Sequence, residues 1–135
     1  MTTQQIALVK NSWSEVLMLQ QNLGIYFYNK LFSIDPSLEA LFKINIGDRE
    51  RKFTYMITYI AFKLDQFDEL LKDAIDLGKR HQQYRVPAGS YQTVEKALLT
   101  TLKDNLNSHW TEETEDAWKA AYDKLTRAML TGEKK

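Results

Sequence analysis

The chain contains no cysteine and few residues that break helices. Without cysteine, its 135 residues cannot form disulfides, thiolate metal sites, iron–sulfur clusters or thioether-linked cofactors. Only two prolines and five glycines are present, and stretches of alternating β-branched residues are almost absent. These features predict an all-α protein, and the chain is long enough to bury a core without covalent staples.

No charge of one sign dominates, and no apolar run is long. Lysine plus arginine and aspartate plus glutamate number 18 each, so no overall field favours nucleic acid or an anionic membrane. The longest apolar stretch, 56–62, is far too short to span a bilayer, and the N-terminus lacks the regions of a signal peptide. We therefore expect a soluble cytoplasmic protein with no nucleic-acid or membrane partner. It should form a single domain over 1–135, in which 131–135 is a frayed tail.

Several residues mark the ends of predicted helices. Thr2 and Gln5 form a capping box for the first helix, and Pro36 suits the first turn of a short helix. Thr111 can cap the last helix, whereas residues 44–48 are predicted as a loop. About seven helices of mixed length result, and these are expected to cross at steep angles around a pocket rather than form an up-down bundle.

Apolar residues at three- and four-residue spacing define the inward faces of these helices. The longest stripes are Ile6, Val9, Trp13 and Val16; Phe53, Met56, Ile57, Ile60 and Leu64; Tyr91, Val94, Leu98 and Leu102; and Trp118, Tyr122, Leu125 and Met129. The aromatic residues among them fit either an ordinary core or a slot for a large flat ligand, and composition does not separate the two interpretations.

His81 follows Leu70, Ala74 and Leu77 on one apolar stripe of a helix predicted over 70–81. One ring nitrogen can donate to the carbonyl of Leu77 a turn earlier, and the other then points into the core. Such an imidazole is either a core histidine satisfied by protein groups or a metal ligand. On this residue alone, the core histidine is the favoured interpretation.

Five short motifs, taken in their order, resemble those of bacterial single-domain haemoglobins and of the globin half of flavohaemoglobins. They are Phe27-Tyr28-Asn29-Lys30-Leu31-Phe32, Asp35-Pro36, Leu41-Phe42-Lys43, His81-x-x-Tyr84-x-Val86 and Tyr91-x-x-Val94. The likeness extends from Ile6 to about Met129. It implies a globin fold in which a short loop precedes the distal helix and the helices surround a pocket for non-covalent haem b.

The resemblance assigns roles to individual residues. It implies that His81 is the proximal ligand of the iron and that Tyr28 is a distal hydrogen-bond donor. Gly24 would lie where the second helix crosses the distal helix. Arg49 would take the usual distal position, where it enters the pocket, bonds a haem propionate or faces water. The other residues assigned to the haem pocket are Phe42, Phe53, Ile57, Leu77, Tyr84, Val86, Tyr91 and Val94.

These roles imply reversible binding of dioxygen, carbon monoxide and nitric oxide at the iron. The alternatives are a nitric oxide dioxygenase that relies on a separate reductase, a haem-based gas sensor and a peroxidase-like globin. The reductase is expected to be separate because the sequence shows no flavin or nicotinamide domain. His109 is the second of two histidines and precedes the last helix, so no distal histidine ligand is expected.

Overall fold

The computed structural model contains helices and no strands in the residues that it describes, which are 1–20, 22–42, 46–83 and 90–133. For 41–42, 46–49, 77–83 and 131–133, the backbone alone is described. The α-helices are α1 Thr3–Leu19, α2 Leu23–Ile34, α3 Ile46–Lys63, α4 Phe67–Gln83, α5 Ser90–Leu106 and α6 Glu112–Glu133. Short 3-10 helices occupy Pro36–Phe42, Leu64–Gln66 and Asn107–His109. The all-α prediction is confirmed.

The predicted helix ends are largely confirmed. Thr2 Oγ1 accepts the backbone N–H of Gln5 at 3.1 Å, and the Gln5 side chain accepts the N–H of Thr2 at 3.0 Å. At the start of α6, Thr111 Oγ1 accepts the N–H of Thr114 at 3.1 Å. Each bond satisfies an amide that the first helical turn leaves without a partner.

The loop predicted for 44–48 is wrong in its second part, because α3 already begins at Ile46. Gly47 had suggested a loop, since glycine costs about 1 kcal/mol relative to alanine inside a helix. The packing of α3 against α1, α2 and α4 outweighs so small a local cost, as tertiary contacts commonly do.

Two tryptophans hold α1 against the helices on either side of it. Trp13 is 0% exposed, and its Nε1 donates to Thr58 Oγ1 of α3 at 2.8 Å. Trp118 of α6 donates from Nε1 to Ser12 Oγ, also at 2.8 Å, and the two indole rings lie 6.1 Å apart. Both indole N–H groups are therefore satisfied inside the core, where an unpaired donor would be costly.

The helices α2 and α3 cross in close contact at Gly24. A Cβ atom at this position would lie 2.7 Å from the backbone oxygen of Glu50 and 3.0 Å from its Cβ. No residue with a side chain fits there without movement of one backbone. The prediction that the second helix crosses the following long helix at Gly24 is confirmed; the distal role of that helix stays a prediction.

The outer face of α3 carries large aromatic residues as well as polar ones. Tyr55 is 72% exposed, and Tyr59 and Phe62 are also exposed. Met56, predicted on the inward stripe, is 40% exposed, so the inward stripe of α3 is narrower than predicted. Within the described ranges, neither α3 nor any other helix is long and apolar enough to cross a membrane.

We predict that Gly24→Ala destabilises the protein by about 1–2 kcal/mol. The added Cβ would meet a backbone oxygen rather than a flexible side chain, so we expect an overpacking cost of about 2–3 kcal/mol, the upper part of the usual range. The gain of about 1 kcal/mol in helix propensity offsets part of it. Ser33→Ala, at an exposed position of the same helix, is the matched control and should be neutral or stabilising. Urea unfolding measures both variants. If Gly24→Ala is as stable as Ser33→Ala, the crossing does not require glycine.

Candidate functional site

An apolar cavity of about 290 Å³ lies between α2, α3, α5 and α6. Nearly all of the side chains around it are aliphatic or aromatic. They come from α2 and the following 3-10 helix (Phe27, Tyr28, Leu31, Leu38), from α3 (Lys52, Phe53, Met56, Ile57, Ile60), from α5 (Ser90, Tyr91, Val94, Leu98) and from α6 (Trp118, Ala121, Tyr122, Leu125, Thr126, Met129). Such walls suit a flat, mostly apolar ligand.

The α2–α3 wall is built from stacked aromatic rings. Phe27 and Phe53 lie nearly parallel with their centroids 4.1 Å apart. The Tyr28 ring meets Phe27 edge-on at 5.1 Å and Phe53 at 5.9 Å. Tyr28 is 8% exposed, so its phenol oxygen is a polar atom in a wall that is otherwise apolar. Ile57, one turn after Phe53, completes this side.

The α5–α6 wall is fixed by a side-chain bond to the backbone. The hydroxyl of Tyr122 donates to the carbonyl oxygen of Tyr91 in the first turn of α5. Burial, with a smaller contribution from the charge of Glu95, raises the pKa of Tyr122 above its ordinary value. The phenol therefore stays protonated and remains a donor. Val94 and Leu98 continue this wall along α5.

The cavity reaches solvent beside α3. Lys52 and Met56 both line it, and both side chains are exposed. They lie one helical turn apart, so they mark one edge of the opening. Lys52 brings a positive charge to this edge, while Met56 brings a thioether.

The helix α4, which contains His81, runs beside the α5–α6 wall. Ala74 of α4 is buried in a cluster with Tyr91, Ala128 and Met129, and two of these, Tyr91 and Met129, line the cavity. Leu70 and Ala74 are both buried, as the predicted stripe requires at these positions. His81 lies in the last two turns of α4.

Five of the residues assigned to the pocket line the same cavity. They are Tyr28, Phe53, Ile57, Tyr91 and Val94. The side chains of Phe42, Arg49, Leu77 and His81, and the whole of Tyr84 and Val86, lie outside the described residues, so their assignments stay predictions. His109 is not among the residues that line the cavity: it contacts Glu15 on the surface, and its side chain is 60% exposed.

Most of the α2 and α6 residues that line the cavity were not predicted as site residues from the sequence. Phe27 directly precedes Tyr28, and Leu31 follows Phe27 by four residues and Tyr28 by three. Trp118, Tyr122 and Met129 were identified only as an apolar stripe of the last helix. The available signal was the continuation of each stripe, because a helix that contributes one wall residue also presents those three and four positions away.

Comparison with known proteins identifies the family. A family model described as Globin matches residues 25–129. The chain is 28% identical over 144 residues to leghemoglobin 29 of Vicia faba, covering 96% of this chain and 95% of that protein. It is 27% identical over 143 residues to an anaerobic nitrite reductase of Gossypium hirsutum, covering 95% and 88%.

A solved structure gives the same result for the fold. This structure is of an engineered carbene transferase, made from a candidate nitric oxide dioxygenase of Rhodothermus marinus. The TM-score is 0.85 at 25% identity, with 99% of this chain and 94% of that chain covered. The arrangement of the helices is thus one that this solved structure shares along almost the whole chain.

Proposed function

Because this chain belongs to the globin family, we propose that it holds haem b without a covalent bond in the apolar cavity and binds diatomic gases reversibly. Haem supplies an iron that, once a histidine holds one side, has an open position for dioxygen, carbon monoxide or nitric oxide. The observation that carries the proposal is the convergence of Tyr28, Phe53 and Ile57 with Tyr91 and Val94 on one cavity.

The residues of the cavity fit haem chemically. Haem is flat and largely apolar, and stacked rings such as Phe27 and Phe53 bury a surface of that kind well. Its two carboxylates need positive charge or water. Lys52 at the opening offers positive charge, and its exposed position gives access to water. The Tyr28 hydroxyl adds a hydrogen-bond donor within an otherwise apolar wall.

His81 is proposed as the iron ligand on the α5–α6 side. The stripe that it continues is buried at Leu70 and Ala74, and Ala74 packs on Tyr91 and Met129 of the cavity wall. His81 follows Ala74 by seven residues, which is about 10 Å of helix and close to two full turns. It therefore shares the same face of α4, and a neutral imidazole on that face suits iron.

Tyr28 is proposed as the distal donor. Haem iron would transfer partial negative charge to bound dioxygen, and the Tyr28 hydroxyl, a donor in an apolar wall, would stabilise that charge. Arg49 is the competing donor, but burying a guanidinium costs several kcal/mol unless a carboxylate compensates. We therefore assign Arg49 to ligand entry or haem retention. Phe42, Leu77, Tyr84 and Val86 remain proposed haem contacts, and a cytoplasmic location stays a prediction.

A second candidate function is nitric oxide dioxygenation, in which nitric oxide, dioxygen and one electron give nitrate. The likeness to the Rhodothermus marinus protein favours it. The electron would come from a separate reductase. Steady-state consumption of nitric oxide with an added reductase separates the two functions: sustained turnover supports the dioxygenase, and a single stoichiometric turnover supports gas binding alone.

We expect His81→Ala to weaken haem binding strongly, because the iron loses its proposed protein ligand, and added imidazole to restore part of it. His109→Ala is the matched control, since His109 lies on the surface against Glu15, and it should bind haem normally. Titration with haemin followed by absorption spectroscopy measures both. A normal histidine-ligated spectrum in His81→Ala would show that another residue holds the iron.

The ferrous protein without gas should be five-coordinate. Of the two histidines in the chain, one is the proposed proximal ligand and the other, His109, is exposed on the surface. The absorption spectrum of the deoxygenated ferrous protein tests this. A split, low-spin band pattern would reveal an internal sixth ligand and contradict the prediction. If that pattern disappeared in Lys52→Ala, Lys52 would be the sixth ligand.

Tyr28→Phe should speed dioxygen release about ten- to a hundredfold, because a charge-assisted hydrogen bond is worth about 1.5–3 kcal/mol. Carbon monoxide carries less charge when bound, so its release should change much less. Tyr26→Phe is the matched control: it removes a hydroxyl that donates to Asp104 on the surface at 2.7 Å. Stopped-flow ligand release measures each variant.

The Arg49→Ala variant decides between the two donors. It should alter ligand entry or haem loss more than dioxygen release, since a charged side chain is expensive to bury. Faster dioxygen release in Arg49→Ala, combined with unchanged release in Tyr28→Phe, would make arginine the distal donor and overturn the assignment of Tyr28.

A further inference from the structure

The four methionines of the chain occupy different surroundings. Met18 is 86% exposed and Met1 is 36% exposed, and both lie away from the cavity. Met129 lines the cavity but is only 6% exposed. Met56 alone combines the two properties, since it lines the cavity and is 40% exposed.

Met56 occupies the boundary between the cavity and water. Its helical neighbours Phe53 and Ile57 are buried in the wall, whereas Tyr55 on its other side is 72% exposed. Lys52, one turn earlier, also lines the cavity and is exposed. Because 40% of Met56 is exposed, we expect a reagent dissolved in water to reach its sulfur, while the residue also lines the cavity.

We propose that Met56 is a peroxide-sensitive modification site that controls how tightly the cavity is closed. The sulfur lone pair attacks one oxygen of hydrogen peroxide, and the O–O bond breaks. The sulfur loses two electrons and becomes a sulfoxide. The other oxygen leaves as hydroxide and takes the proton from the oxygen now bound to sulfur, which gives water. Methionine sulfoxide is reversible by dedicated reductases, so such a site can be reset.

Oxidation would change the edge of the cavity from apolar to polar. A sulfoxide is a strong hydrogen-bond acceptor, and placing one against an apolar wall without a donor is costly. The modified side chain therefore favours water over the wall formed by Phe53 and Ile57. We expect the opening to widen, water to enter and the bound group to leave several-fold faster.

The chain provides its own controls for this proposal. Met18 tests exposure without cavity contact, and Met129 tests cavity contact without exposure. Under dilute hydrogen peroxide, Met18 should oxidise first, Met56 next and Met129 last. Only oxidation of Met56 should coincide with a change in the cavity. Peptide mapping by mass spectrometry measures the sulfoxide fraction at each position.

The haem readout rests on the proposed function. After peroxide treatment, haem transfer to excess apomyoglobin should be several-fold faster in the wild type and in Met18→Leu, but unchanged in Met56→Leu, which conserves side-chain volume. Met56→Gln places a polar side chain there without oxidant, so haem loss should be fast and insensitive to peroxide. Equal acceleration in wild type and Met56→Leu would overturn the proposal, as would Met129 oxidising before Met56.

A haem-independent measurement separates this proposal from the previous one. In the haem-free full chain, Met56 oxidation should alter the fluorescence of anilinonaphthalene sulfonate, a dye that binds apolar cavities, in the wild type and not in Met56→Leu. Failure to bind haem would contradict the proposed function. The proposal for Met56 would then be tested by the dye fluorescence and the peptide mapping alone. An unchanged dye signal after complete oxidation of Met56 would contradict the modification site itself.

Discussion

The close crossing of α2 and α3 at Gly24 determines the geometry of the site. With 2.7 Å between the position of a Cβ at Gly24 and the Glu50 carbonyl oxygen, the two backbones are too close to admit a side chain between them. One turn later this proximity allows Phe27 and Phe53 to stack at 4.1 Å, and Tyr28 is held edge-on against both. A wider crossing would separate these rings and remove the aromatic wall.

The remaining helices hold a cavity open because their polar bonds are placed around it. Trp118 lines the cavity with its ring, yet its N–H is satisfied by Ser12 on the side of α1. Tyr122 likewise donates to the Tyr91 backbone. Directional bonds thus fix the orientation of both large side chains at the cavity wall.

The helices and their inward faces could be predicted from the sequence, whereas the residues that line the site could be predicted only in part. Periodicity located the stripes because it depends on local spacing alone. It misjudged Met56, which shares the stripe of Phe53 and Ile57 but lies at its edge, where exposure depends on the neighbouring helices. The start of α3 at Ile46 was missed for a related reason: the packing of the whole helix decided a local conflict at Gly47.

The position of α3 links the wall, the opening and the chemistry of the pocket. Its inner face presents Phe53 and Ile57, while Lys52 and Met56 stand at the edge between that face and water. A helix turns about 100° per residue, so Lys52 and Met56 share one edge, and Phe53 and Ile57, each one residue later, share the inner face beside it. A small rotation of α3 would therefore move Met56 and Phe53 together. The width of the opening at Met56 and the polarity of the wall that contacts Tyr28 therefore both depend on the orientation of α3.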